Sequence, residues 1–205
     1  MAITYPRDLP THTGVRNIEL RAVSATAYDF SPFTFGGTAY EYDGQMWQAD
    51  LSLPPMRRAD AEVWAAWLVS LRGRAKTFLL GDTSCSVPRG QAATFPGTPI
   101  ITSQTGGSID VTGASANKSG WLLTGDYIQI GSAADATLHK VLEDASTDAS
   151  GNVTLEVWPY LRGTRSGSVT VNNPRGRFRL ASNEQAWSIN EAAVYGITFG
   201  AMEAI

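Results

Sequence analysis

The sequence predicts a mainly β protein, in which a β-sandwich domain with one α-helix carries an inserted small all-β barrel or sandwich. Apolar residues recur at every second position along most of the chain, as in strands with one buried face. Only the stretch between positions 54 and 81 spaces its apolar residues as a helix does. With 205 residues, of which 43% are hydrophobic and 17% charged, the chain has ample material for a core in one or two domains.

The single predicted helix spans about residues 60–72. Asp60 is its expected N-cap, and Gly73 is the expected left-handed residue after its end. One arc, about 140° wide, is the face that a sheet would bury, and it holds Val63, Trp64, Trp67, Leu68 and Leu71. The opposite arc carries less charge than a water-facing helix usually does, and it holds Glu62, Ala65, Ala66 and Val69. We therefore expect Ala65, Ala66 and Val69 to contact a second partner.

The N-terminal part reads as antiparallel sheet. Residues 16–23 alternate between apolar and polar, which predicts a strand that is wet on one side. Asp43-Gly44 predicts a two-residue hairpin turn that places Tyr40 opposite Trp47, because this dipeptide accepts the positive φ of a type I′ turn. The strand after that turn runs directly into the helix with its apolar face intact. The hairpin and the helix are therefore expected to share a core.

The composition shifts at about residue 84 to Gly, Ser, Thr, Ala and Pro, with short apolar runs between turn signals. This spacing is typical of a small barrel or sandwich over residues 84–175. The segment 176–205 returns to longer alternating strands, too few to fold alone. We therefore expect residues 1–83 and 176–205 to form one discontinuous domain with the small one inserted.

Few residues offer catalytic or metal chemistry. Cys85 is the only cysteine, and His12 and His139 lie in different predicted domains without a nucleophile or carboxylate at motif spacing. The acids Glu143, Asp144 and Asp148 do not have EF-hand spacing, so a solvated turn is expected there. No phosphate-binding or dinucleotide motif is present. We expect no enzyme activity, no metal and no cofactor.

Charge and hydropathy indicate which classes of partner are not expected. The formal net charge is −3 and no long basic block occurs, so specific nucleic-acid binding is not expected. No apolar run approaches the roughly 18 residues of a membrane span, and the first ten residues lack the features of a signal peptide. We expect a protein made and kept inside a cell, without membrane insertion.

The tryptophans admit two interpretations. Trp47, Trp64 and Trp67 fall on predicted core faces, where large rings normally supply burial. Trp121 and Trp158 lie near strand ends of the inserted domain. If exposed, these two rings could form a platform on which a sugar stacks, which keeps a carbohydrate-binding module as an alternative function.

Several short segments, taken in order along the chain, resemble those of a known family. Around the helix these are LPPM at 53–56, SLRG at 70–73 and TFLLGD at 77–82; further on they are GDYIQIG at 125–131, WPYLR at 158–162 and YGITF at 195–199. Together with Trp47, Trp64 and Trp67 they resemble distal tail proteins, which form the tail-tip ring of long-tailed bacteriophages and related gene-transfer particles. The resemblance spans nearly the whole chain and includes no catalytic residue.

The resemblance implies an architectural role. In that family a β-sandwich with one helix forms a ring, expected here to be a hexamer, between the tail tube protein and the central hub or tail-tip proteins. A second β-domain, galectin-like or OB-like, projects from the ring. The implied location is the virion tail tip, assembled in the host cytoplasm, with DNA passing through the ring. This sequence differs because its second domain is expected before the final strands, not after them.

Overall fold

The structure is a computed structural model that describes residues 3–11, 14–191 and 193–205. Over these ranges it contains two antiparallel sheets and one α-helix, which confirms the predicted mainly β fold class. In chain order the elements are β1 (Asn17–Phe30), β2 (Gly37–Ser52), β3 (Met56–Arg57), α1 (Arg58–Ser70), β4 (Thr77–Leu80), β5 (Ile100–Val111), β6 (Tyr127–Ile130), β7 (Thr137–Val141), β8 (Val153–Thr170), β9 (Gly176–Leu180), β10 (Trp187–Ile189) and β11 (Val194–Glu203).

The larger sheet joins strands from both ends of the described chain. Its order is β1-β2-β11-β9-β4, with β3 and β10 also paired to β11. Strand β11 lies between β2 and β9, so Ala201 pairs with both Ala49 and Leu180. Strands β4 and β9 are neighbours, and Leu80 pairs with Gly176. The 95 or so residues between them therefore leave the sheet and return to it at adjacent positions.

Helix α1 packs on this sheet through the predicted apolar arc. Trp64, Trp67 and Leu68 are buried, and the Trp67 ring meets Phe78 and Phe199 at centroid distances of 5.0 and 5.9 Å. Burial of such rings contributes a few kcal/mol each. This aromatic cluster fixes the helix against the strands.

Both expected helix caps and one member of the buried arc need correction. The helix begins after Arg57, whose side chain makes no capping bond, and Asp60 lies inside the first turn, where its charge complements the helix dipole. At the other end the left-handed conformation begins one residue earlier than expected, at Arg72 with φ of 52°, and includes the expected Gly73 with φ of 61°. Val63 is 37% exposed because it lies at the edge of the arc.

The predicted hairpin turn at Asp43-Gly44 is wrong. Strand β2 runs straight through these residues, and the actual turn is at residues 31–36, between β1 and β2. Ser24 pairs with Gln45 and Thr26 with Glu41, so Ala25 faces three residues of β2. This bulge needs a glycine, since a Cβ on Gly44 would lie 2.9 Å from that of Ala25. Gly44 is therefore required by the close approach of the two strands, and neither Asp43 nor Gly44 takes a positive φ.

The smaller sheet closes on itself. Strand β8 pairs with β5 along its length, with β7 near Trp158 and with β6 near Val169, and β6 pairs with β7. The two ends of β5 also meet, at the bridge between Ile100 and Thr112. The hydrogen bonds therefore form a closed circuit around a second buried apolar cluster. We call this unit, within residues 84–175, the barrel, after the closed circuit of strands β6, β7 and β8.

Barrel and large sheet meet at a joint of buried side chains. The Trp47 ring packs edge-on against Trp158 at 4.6 Å, and its Nε1 donates to the Leu138 carbonyl at 2.9 Å. Beside it, Arg162 of β8 forms a two-pronged ion pair with Glu203 of β11, at 2.9 and 3.1 Å. Charge-assisted bonds of this geometry fix orientation. Residues of the barrel therefore form part of the hydrophobic core that lies between helix α1 and the larger sheet.

Candidate functional site

The most exposed apolar surface is the β1–β2 ribbon beyond the bulge. We call residues 24–44 the arm; all of its side chains are exposed apart from the half-buried Ser31. It carries six exposed aromatic residues, namely Tyr28, Phe30, Phe33, Phe35, Tyr40 and Tyr42. The tip rings of Phe33 and Phe35 are 92% and 81% exposed. Clustered exposed rings of this kind mark interaction sites in soluble proteins.

The arm is a locally well-defined structure. At its tip Phe35 N donates to the Ser31 carbonyl, and Ser31 N to the Gly36 carbonyl, both at 2.9 Å. Tyr28 and Phe30 stack on one face, 6.3 Å apart, with Tyr28 lying over Gly37, where any side chain would collide with it. Register places Tyr40 on the other face, beside Ala27. Both faces therefore present aromatic rings.

Sequence reasoning missed the arm because the Asp-Gly turn was placed at its base. The signal for its tip is the run FSPFTFGG at 30–37, in which three phenylalanines occur without a charged residue. A Ser-Pro pair and a Gly-Gly pair bracket this run, and both are turn signals. Aromatic residues in a turn lie away from the predicted buried faces. This pattern therefore indicates an exposed apolar tip.

A second apolar surface is the water-facing side of α1. We call Ala59, Val63, Ala66 and Val69 the outer stripe; all four are exposed, and Val69 is 61% exposed. Ala65, expected on this surface, is instead only 5% exposed, because the chain itself covers it. Ala66 and Val69 therefore remain as candidate interface residues and Ala65 does not.

The outer stripe is bounded by cations. Arg57 and Arg58 precede it and Arg72 follows it, all exposed. Arg58 pairs with Glu62 at 3.5 Å, while Arg57 and Arg72 make no ion pair with another described residue. An exposed pair such as Arg58–Glu62 contributes little to stability. The helix thus offers an apolar row with positive ends.

The two tryptophans considered for sugar stacking are not available. Trp121 is fully buried in the barrel, with its Nε1 donating to the Phe95 carbonyl at 3.0 Å. Trp158 is half-buried against Trp47 in the joint between barrel and sheet. A stacking platform needs a free ring face, so neither residue provides one in this conformation.

A pocket of about 410 Å³ lies where the base of the arm approaches the barrel. Asp43 lines it from the arm, and Tyr160 and Arg162 line it from β8. Tyr160 is 40% exposed and its ring stands directly on the backbone of Gly107. An aromatic ring beside a carboxylate and a guanidinium offers both stacking and hydrogen bonding to a polar ligand.

The titratable side chains with shifted pKa values have structural surroundings, either burial or hydrogen bonds within the fold. The pKa of His139 is lowered to about 4 by complete burial, and its ring bonds the Pro159 carbonyl and Thr137. Hydrogen bonds from Asn152 and Ser150 lower the pKa of Asp148, which organises the predicted turn. Burial raises the pKa of Cys85. The other histidine, His12, lies outside the described residues.

The described residues offer neither a cluster of metal ligands nor a membrane-spanning helix. Across residues 3–11, 14–191 and 193–205 no three His, Cys, Asp or Glu side chains lie close enough together to hold a metal ion. The described chain also contains no helix of the length and apolarity needed to cross a bilayer. The arm and the outer stripe thus remain the main candidate surfaces.

Comparison with known proteins identifies no relative. A scan against models of protein families gives no match, and a sequence search of curated proteins gives none either. The function proposed below therefore rests on the surfaces described above and on the resemblance of short segments.

Proposed function

We propose that this protein is a structural component of the tail tip of a long-tailed bacteriophage or a related gene-transfer particle. In this role it forms a ring that joins the tail tube to the central hub and surrounds the DNA channel. The observation that carries the proposal is the arm, whose six rings the described chain leaves exposed. Burial of these rings in an assembly removes apolar surface from water and thereby favours association.

The architecture and charge support the same proposal. A β-sheet domain with one helix and a second β-unit is the composition that the resemblance implies. The arm and the outer stripe are different surfaces of one molecule, and contacts between unlike surfaces generate rings when the rotation closes. A net charge of −3 per chain gives DNA no attractive surface, so it would pass without being held.

Light scattering of the purified protein tests the proposal. At high micromolar concentration we expect assemblies that are multiples of 22.0 kDa, with six copies as the expected ring. A variant in which residues 26–41 are replaced by an Asn-Gly turn should fold and remain monomeric, because no buried residue is removed. A wild-type chain that stays monomeric even with its tail tube protein would contradict the ring.

A second candidate function is carbohydrate binding, now placed at the pocket of Asp43, Tyr160 and Arg162. The exposed Tyr160 ring favours it, since sugars stack on such rings. On this hypothesis Tyr160→Ala abolishes binding to host-surface glycans in an array, whereas Phe95→Ala, which removes another exposed ring, does not. Equal binding by both variants, or none by the wild type, would exclude the pocket.

A further inference from the structure

We propose that the arm of one copy lies along the outer stripe of α1 in the next copy. This inference rests on the proposed ring and specifies its interface. It makes the contact head-to-tail, because the arm and the outer stripe are separate surfaces of each chain. Four features carry it, namely charge, apolar character, length and the lack of self-complementarity.

The charges of the two surfaces are opposite. The arm contains Asp29, Glu41 and Asp43 and no Lys, Arg or His. The segment 57–76, which includes the helix and both its ends, contains five Lys and Arg residues against two acids. Opposite potentials accelerate encounter and fix register. Arg57 and Arg72, which have no ion-pair partner among the described residues, lie at the two ends of the outer stripe and would receive the acids of the arm.

The apolar parts also match. Val63, Ala66 and Val69 follow one another at helical spacing and form a row without large protrusions. On one face of the arm Tyr28 and Phe30 stand beside Gly37 and Ala39 as cross-strand partners. Because those partners are small, no neighbouring side chain of the described chain covers the two rings, and both remain exposed. Large rings against small aliphatic side chains are a common pairing at well-packed interfaces.

The lengths agree. A helix of 13 residues is about 20 Å long at 1.5 Å per residue. The strand from Ser24 to Phe30 covers about 20 Å at roughly 3.3 Å per residue. One face of the arm therefore extends along the whole outer stripe, from Ala59 to Val69. Glu41, which pairs with Thr26, lies on the face of Tyr28 and Phe30, whereas Asp29 lies near the tip on the opposite face and adds to the negative charge of the arm.

Two other occupants fit less well. Two arms placed side by side would bring three acids against three acids, and like charges repel across a strand pair. A lipid surface of anionic headgroups attracts basic segments, whereas the arm carries only acids. The basic, apolar outer stripe of a second copy meets neither objection.

Charge reversal with rescue tests the inference. Asp29→Lys/Glu41→Lys on the arm and Arg57→Glu/Arg72→Glu beside the helix should each lower the ring fraction at least tenfold in light scattering. The chain with all four substitutions should regain rings, because the charges are again opposite. Glu143→Lys/Glu156→Lys changes the net charge as the arm variant does, on exposed barrel residues, and should assemble normally.

Mixing gives a second readout. Arm-reversed and Val69→Glu chains, each monomeric alone, should pair one-to-one and stop there, since the mixture retains one intact arm and one intact outer stripe per pair. Full rings from both reversed variants, or no rescue in the fourfold chain, would overturn this inference while leaving the ring standing. Failure of the wild type to assemble with the tube protein would overturn both. Wild-type binding to anionic vesicles, lost when residues 26–41 are replaced by an Asn-Gly turn, would assign the arm to lipid instead.

Discussion

Trp64 and Trp67, neighbours on the buried face of α1, differ in what surrounds their indole nitrogens. Trp67 Nε1 donates to the Asp8 carbonyl at 2.8 Å, which attaches the N-terminal segment to the helix. Trp64 Nε1 is buried with no partner among the described residues. A buried N–H without an acceptor costs about 1–3 kcal/mol. The same residue type therefore stabilises the protein to different extents at the two positions.

Substitution by phenylalanine should affect the free energy of unfolding differently at Trp64 and at Trp67. Trp67→Phe removes ring volume and also strands the Asp8 carbonyl, whereas Trp64→Phe removes ring volume and an unsatisfied donor. We expect Trp67→Phe to lower the free energy of unfolding by about 1–2 kcal/mol more than Trp64→Phe. Urea denaturation followed by far-UV circular dichroism measures both. Equal costs would mean that Trp64 Nε1 has an acceptor after all.

His139 links stability to pH. Its ring is buried in the barrel, with Nδ1 2.6 Å from the Pro159 carbonyl. Since a carbonyl only accepts, Nδ1 carries the proton of the neutral ring. Burial lowers the folded pKa to about 4, against an ordinary 6.5 in the unfolded chain. Between about pH 6.5 and pH 4, His139 is protonated in the unfolded chain but neutral in the folded one. The free energy of unfolding therefore falls as the pH drops through this range.

A His139→Gln variant should lose this pH dependence. From pH 7 to pH 4.5 we expect the wild type to lose about 2–3 kcal/mol more of its free energy of unfolding than the variant does. The variant can be less stable at pH 7, because only the difference in slope matters. Urea titrations at three pH values give both slopes. Parallel slopes would show that His139 is protonated equally in both states.

At the scale of elements, the helix and most strands are predictable because their apolar periods are long and their faces are one-sided. Strands β9 and β11 follow the alternation of the sequence closely. The β1–β2 ribbon is not predictable by that means. Its outer half buries nothing, so no apolar period exists there, and the local Asp-Gly signal is equally compatible with a bulge. The same lack of burial concealed the arm as a functional surface.

The two sides of α1 should respond differently to charge. Ala65→Glu places a carboxylate where the chain covers the side chain, and should cost about 3 kcal/mol or more. Val69→Glu adds a charge that water solvates, and should change the free energy of unfolding of the monomer by under about 0.5 kcal/mol. Thermal unfolding at low concentration, where rings dissociate, compares them. Similar losses in both variants would place Val69 against the chain as well.

At the scale of the molecule, the joint between sheet and barrel decides how independent the two are. Residues 84–175 leave and re-enter through paired neighbours, Leu80 and Gly176, so closing that gap requires only a short connection. Tyr127, Leu138 and Trp158 nevertheless belong to the core under the helix. The sequence predicts the insertion from composition, but not this shared core, because contacts between distant segments leave no local pattern.

Excision should therefore give a folded but weakened remnant. Joining Thr83 to Gly176 by a Gly/Ser linker removes the Trp47 contacts with Tyr127 and Trp158 and its bond to Leu138. We expect cooperative unfolding with a free energy lower by about 2–4 kcal/mol. Near-UV circular dichroism in urea reports cooperativity. As a matched control, Trp47→Phe should cost less in the remnant than in the full chain, and loss of cooperativity would show one indivisible unit.

The position of β11 between β2 and β9 has a consequence for biosynthesis. Strand β2 is made early and pairs on one side with β1, yet its other neighbour, β11, is about 150 residues later in the chain. All barrel strands, by contrast, lie within residues 100–170. Nearby segments find each other faster than distant ones. On the ribosome the barrel can close first, while the tryptophans of α1 remain uncovered until β11 has been synthesised. During that interval the nascent chain is a natural client for a chaperone that shields apolar surface.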